Sequence, residues 1–238
     1  YAPAQIVRDA REHNVETRPI CLNHSEWNNT LERRPDGRLA LRLGFRQIKA
    51  FREEDAGWIV AARGNGYPDP EALWLRAGLR PDVLTRLAEA GAFSDMGLAR
   101  RDALWAVKAI RDHNPLPLFN DPIDGEAINE PQTHLPVMQL GEEVVEDYVS
   151  TRLTLRAHPM ELLRPSLPGL VTHDSLKHIA VGRYSVCGLV ITRQRPGTAS
   201  GVIFLTLEDE TGVSNVVVWP KVYERFRRVV MGGRLLQV

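Results

Sequence analysis

Long apolar runs are missing from this 238-residue chain. None approaches the roughly 20 residues that cross a bilayer, and no signal peptide precedes the first helix pattern, so no membrane partner is implied. Cysteine is scarce. Cys21 and Cys187 stand far apart in apolar or strand-like surroundings, which suggests a reducing compartment, the cytoplasm, and neither a disulfide framework nor a zinc site. Net charge is absent too: 30 basic and 30 acidic residues cancel, so the total names no partner. The metalloprotease pattern HExxH, the nucleophile elbow GxSxG and the phosphate-binding GxxxxGK[ST] do not occur. His173 and His178 are too loosely placed to suggest a metal site, and no nucleophile–base constellation is evident. Lysine and arginine are missing altogether from residues 113–151, against eight acids, so two mildly basic bodies flank an acidic connector.

What is present is most ordered near the end of the chain. Tyr184–Thr192, Val202–Leu207 and Val213–Trp219 are apolar, β-rich runs. Residues 193–201 (RQRPGTASG) read as a polar loop, and Glu208-Asp209-Glu210-Thr211-Gly212 as a hairpin turn. Lys221–Val230 is amphipathic at helical spacing, and Leu235–Val238 restarts an apolar run. Strand, strand, strand, helix, strand is the order of a five-stranded OB barrel lacking its last strand. With Tyr1 in place of methionine, the chain reads as a fragment.

OB barrels bind single strands with cations and stacking aromatics across their second and third strands. Arg193 and Arg195 on the loop, with Phe204 and Trp219 on the strands, are the candidate contacts. Alternation puts Phe204 beside Thr206, and Asn215 beside Val217 and Trp219, although both aromatics also suit a barrel core. The carboxylates at 208–210 read as solvated turn chemistry, not as a two-metal site.

Upstream, Pro3–Asn14 places Ile6, Val7 and Ala10 on one helical stripe, and Val15–Leu22 and Leu39–Leu43 flank a polar turn at residues 34–37. Leu43–Arg63 reads as two short helices broken near Ala50–Arg52, a helix-hairpin-helix pattern with Arg46 and Lys49 as candidate DNA contacts. Such hairpins grip a phosphate with backbone amides. Ala50 and Arg52 stand where glycines usually allow that approach, and Glu53, Glu54 and Asp55 repel an anion, so a purely structural hairpin fits as well. Pro70–Ala77, Pro81–Ala90, Leu98–Asp112 and Gly141–Leu155 are further helices. A second hairpin at Ala90–Ser94 carries Gly91. Arg100 and Arg101 open the next helix against its dipole, where an anion would compensate for them. Within the connector, Leu116, Leu118 and Phe119 of Pro115–Phe119 suit either a partner's groove or packing on the chain itself.

The run GLVITRQRPGTASGVIFLTLEDETGVSNVVVWPKVYERFRRVV resembles the OB domain of bacterial C-family DNA polymerases, the DNA polymerase III alpha subunit type. It is most similar to the error-prone, damage-induced branch. YAPAQIVRDAREHNVETRPICLNHSEW, ALRLGFRQIKAF, LAEAGAFSDMGLARRDALW and DYVSTRLTLRAHPMELLR resemble successive segments of the same family, in order. The resemblance implies an α+β multidomain chain. Residues 1–41 would end a fingers-like α/β segment, and 42–112 would form a tandem helix-hairpin-helix DNA-binding domain. An acidic, proline-rich connector would span 113–183, and an incomplete OB fold 184–238.

The family's catalytic aspartates lie in a palm upstream of Tyr1, with magnesium expected there, so no catalytic residue and no cofactor is assigned to this region. Primer–template duplex is the implied partner of the hairpins, and single-stranded template that of the barrel. Pro115–Phe119 occupies the place of a clamp-binding peptide but lacks its leading glutamine. Error-prone members look to be recruited through accessory mutagenesis proteins. The implied function is a non-catalytic DNA-binding and targeting region of an error-prone polymerase in translesion synthesis. The alternative is a protein-interaction scaffold that has lost DNA affinity.

Overall fold

The computed structural model of the chain describes residues 2–110, 135–197 and 201–238. It divides into two units, Tyr1–Leu155 and Arg156–Val238, each with its own core. No helix among the described residues is long and apolar enough to cross a membrane.

In the first unit, prolines open α1 (Pro3–Glu12), α3 (Pro70–Ala77) and α4 (Pro81–Glu89), at positions where a missing amide costs nothing. Asp69 caps α3 by accepting from the Ala72 amide, and Gly78, in the left-handed region, ends it. α2 (Glu53–Ala62), α5 (Arg100–Ala109) and α6 (Leu140–Ser150) complete the set. Ile59, Leu73, Leu84, Leu87 and Phe93 meet Phe45 and Phe51 in one core, the two rings stacked 5.9 Å apart. The helix expected before the first break is only a 3-10 turn, Phe45–Gln47, because Ile48 is already extended.

Ahead of these helices, β1 (Glu16–Arg18), β2 (Thr30–Arg33) and β3 (Leu39–Arg42) form a sheet in the order β1-β3-β2. β1 runs parallel to β3, and β2 antiparallel to it. β2 is too polar to show in the sequence pattern. Charge holds it instead: the buried Arg42 and the half-buried Arg18 donate to the Glu32 carboxylate at 2.7 and 2.6 Å. The Arg42 guanidinium first, then Arg18, hold the Glu32 carboxyl down at about 2. Its ordinary value is about 4.3. The clamp therefore contributes fully above that value and is lost as pH falls through about 2. An NMR titration of side-chain carboxyl shifts should find Glu32 still ionised at pH 3. Titration near its ordinary value would mean that the clamp does not form.

The second unit begins with α7 (Pro159–Leu163) and is dominated by four antiparallel strands in the order β6-β5-β4-β7. These are β4 (Cys187–Gln194), β5 (Ile203–Glu208), β6 (Val213–Val218) and β7 (Leu235–Gln237), with α8 (Pro220–Gly232) between the last two. β7 returns to pair with β4, which curls the sheet into a half-barrel. Ile203, Leu205, Leu207, Val218, Tyr223, Val230 and Leu236 fill its inner side. A bulge lies between Val190 and Thr192. Gly188 has no room for a side chain: a Cβ there would sit 2.7 Å from the Glu208 carbonyl oxygen and 2.8 Å from the His173 ring.

Candidate nucleic-acid interface

Strand register decides which side chains the half-barrel presents. Phe204 lies opposite Gln194 on one side and Val217 on the other, while Thr206 lies opposite Thr192 and Asn215. Thr206 donates to the Asn215 side-chain oxygen at 2.9 Å. Phe204 is 39% exposed and Trp219, just past β6, is 64% exposed, so neither belongs to the core. Their outward aromatic faces can stack with bases, and Thr206 and Asn215 add polar groups between the strands.

The two loop arginines separate. Arg193 and Gln194 belong to β4, not to a loop. Arg193 pairs in register with the inward-facing Leu205 and donates to the Gly233 carbonyl oxygen at 2.7 Å. Arg193 thereby ties β4 to the end of α8 rather than standing on a loop. Arg195 is exposed, with its guanidinium 5.2 Å from the ring centre of Tyr223. The expectation of two free cations on one loop reduces to Arg195. Sequence reading passed over a larger set: Lys221, Arg225, Arg227 and Arg228 all stand exposed on α8. Four cations in KVYERFRR were the available signal.

The acidic turn is not solvated. Asp209 is 0% exposed. One of its carboxylate oxygens accepts from the Thr211 amide and hydroxyl and from the Gly212 amide, and the other from the His173 amide and Arg164. Arg164 also donates twice to Glu210. Asp209 still makes the turn, but as a buried hub. With Arg164 and the turn donors holding Asp209 and Glu210, these carboxylates do not present a free two-metal pair.

In the first unit, Ala50 adopts φ 55°, the left-handed backbone that a glycine usually takes in such a hairpin. A cleft of about 370 Å³ opens there, lined by Arg46, Lys49, Ala50 and Arg152 among others. Arg46 donates to the Asn28 side-chain oxygen at 2.7 Å, so its charge remains uncompensated by that contact. Lys49 is exposed. These two candidates stand together on the surface.

At the second hairpin Gly91 takes φ 70°, but the arginines behind it are already committed. Arg100 is only 5% exposed, and its guanidinium meets Glu143 at 3.0 Å and Asp147 at 2.5 Å. Arg101 donates to both oxygens of Glu142, at 3.0 and 3.1 Å. The anion that would offset them at the start of α5 comes from α6, so Arg100 cannot reach DNA and the Arg101 charge is largely answered. Leu116, Leu118 and Phe119 lie outside the described residues.

Comparison with known proteins follows the same division. Residues 14–103 match the helix-hairpin-helix motif family, and residues 184–238 match the OB-fold nucleic acid binding domain family. The chain is thus an α+β protein with a helix-hairpin-helix domain followed by an OB fold. It is 79% identical over 238 residues to an error-prone DNA polymerase of Ruegeria pomeroyi, a match covering 100% of this chain and 22% of that relative. An error-prone DNA polymerase of Brucella abortus is 47% identical over 241 residues, covering 100% and 22%. Error-prone DNA polymerase 2 of Rhizobium meliloti is 48% identical over 249 residues, covering 100% and 23%. The chain therefore spans less than a quarter of these relatives' length. Over its whole length it is similar to error-prone DNA polymerases, and its two domains fit the C-terminal region of such an enzyme.

Proposed function

We propose that this chain is a non-catalytic DNA-binding and targeting region of an error-prone DNA polymerase, serving cytoplasmic translesion synthesis and damage-induced mutagenesis. The observation that carries this reading is the outer face of the half-barrel, where Phe204 and Trp219 stand exposed while other side chains fill the core. With Arg195 and the α8 cations in the same unit, that face suits a single-stranded template. Arg46, Lys49 and Arg152 at the first hairpin suit the phosphates of a primer–template duplex. Catalysis and its magnesium belong, on this reading, to another part of the polymerase. Metal-dependent nucleotide incorporation by the purified chain would overturn that assignment. Recruitment by a sliding clamp at Leu116, Leu118 and Phe119, or by accessory mutagenesis proteins, is a separate proposal that clamp binding by the isolated peptide tests.

Fluorescence-anisotropy titration of a labelled single strand at several salt concentrations tests the central claim. Phe204→Ala should weaken binding by about 1–3 kcal/mol, roughly 5- to 150-fold, with the salt slope and the thermal melt unchanged. Arg195→Ala should flatten the slope by about 0.7, the counterion release of one phosphate contact. Arg193→Ala should leave that slope as it is. Absence of binding at every salt concentration would favour the scaffold reading, which draws on the exposed Val222, Phe226 and Val229 of α8.

A further inference from the structure

The turn after β1 brings Cys21 and His24 beside Asp95, which lies just beyond the second hairpin. The Cys21 sulfur, a His24 ring nitrogen and an Asp95 carboxylate oxygen all lie within 4.8 Å of one another. Backbone hydrogen bonds fix the turn. The His24 and Ser25 amides donate to the Cys21 carbonyl oxygen at 3.3 and 2.8 Å, and the Cys21 amide donates to the Ser25 hydroxyl at 2.9 Å. Leu22 donates to the Ala92 carbonyl oxygen at 3.1 Å, which ties the turn to the second hairpin. Asn23 donates to Asp95 at 2.6 Å and accepts from the Tyr67 amide at 2.7 Å, so the carboxylate is oriented as well.

Exposure is graded across the cluster. Cys21 is 3% exposed, whereas His24 and Asp95 face solvent, so the sulfur is shielded and an entry path stays open.

We propose that Cys21, His24 and Asp95 bind one zinc-like divalent transition metal ion, with water as its fourth ligand. Thiolate, imidazole and carboxylate are donors that zinc accepts, and three protein ligands with one open position is a familiar arrangement for it. Tetrahedral zinc needs neighbouring ligand atoms roughly 3.5 Å apart. The three ligand atoms, now within 4.8 Å of one another, would draw together to that spacing when the ion binds. Magnesium and calcium prefer all-oxygen sites and do not match this set. The bound ion would pin the turn after β1 to the second hairpin, making the hairpin's rigidity depend on metal. The inference is independent of whether either unit binds DNA.

The test uses the purified chain, stripped with chelator and then titrated with cobalt(II) by absorption and with zinc chloride by calorimetry. One equivalent should bind, with a thiolate-to-cobalt charge-transfer band that zinc abolishes, and zinc should raise the melting temperature. Cys21→Ser should remove the band. His24→Ala, at a solvent-facing position, should keep the fold and lower zinc affinity by at least about tenfold. Absence of binding, cobalt binding without the thiolate band, or a band that persists in Cys21→Ser would each overturn the proposal. Unchanged zinc affinity in both His24→Ala and Asp95→Asn would overturn it equally.

Discussion

Asp209→Ala should destabilise the second unit by about 3–5 kcal/mol, the scale of removing one partner from a buried ion pair. The carboxylate is fully buried, and the substitution takes from Arg164 one of its two carboxylate partners and strands the amides of His173, Thr211 and Gly212. Urea unfolding combined with hydrogen-exchange mass spectrometry should show protection lost in β4, β5 and β6, with the first unit unchanged. A wild-type midpoint would mean that the hub carries little of the fold. Burial alone would raise the Asp209 pKa, but the Thr211 hydroxyl and the His173 and Thr211 amides outweigh it and hold the group below its ordinary value. At Glu210 burial is likewise outweighed, there by Arg164. Both groups therefore add stability above roughly pH 4, their unfolded range, and lose it as pH falls through their lower folded values. Asp209→Asn should flatten that acid limb of the melting profile.

Arg100→Ala should cost a similar amount, about 3–5 kcal/mol, in the first unit. Its guanidinium lies behind Gly91 and joins α5 to Glu143 and Asp147 of α6, and Thr154 donates to the other Asp147 oxygen at 2.7 Å. Removing the cation leaves two carboxylates facing each other in a largely dry site. Exchange protection should fall in α5 and α6. The substitution separates two roles cleanly, because a phosphate-binding arginine would lower DNA affinity and leave the melt alone. An unchanged melt with weakened duplex binding would return Arg100 to the interface.

The elements were legible for reasons local to each. Lys221–Val230 showed as a helix because its apolar positions recur at helical spacing, and the structure adds Pro220 as its first residue. Ile203, Leu205 and Leu207 showed as one face of a strand because side chains alternate along it. β2 did not show, since TLER owes its place to two arginines brought in by β1 and β3. The candidate site was legible in kind but not in detail. Phe204 stood on the predicted strand, yet only the pairing of β5 with both neighbours decided that it faces outward.

By itself, then, the sequence determined most of the order of helices and strands, because period, caps and turn residues act within a few positions, and its resemblances pointed to the two nucleic-acid-binding folds. Tertiary structure alone decided which charges are free. Arg100, Arg193 and Asp209 each looked available along the chain, and each is taken up by groups far away in sequence. A charged side chain in a folded interior is stable only beside a partner or a set of donors. Which partner that is depends on where distant segments converge.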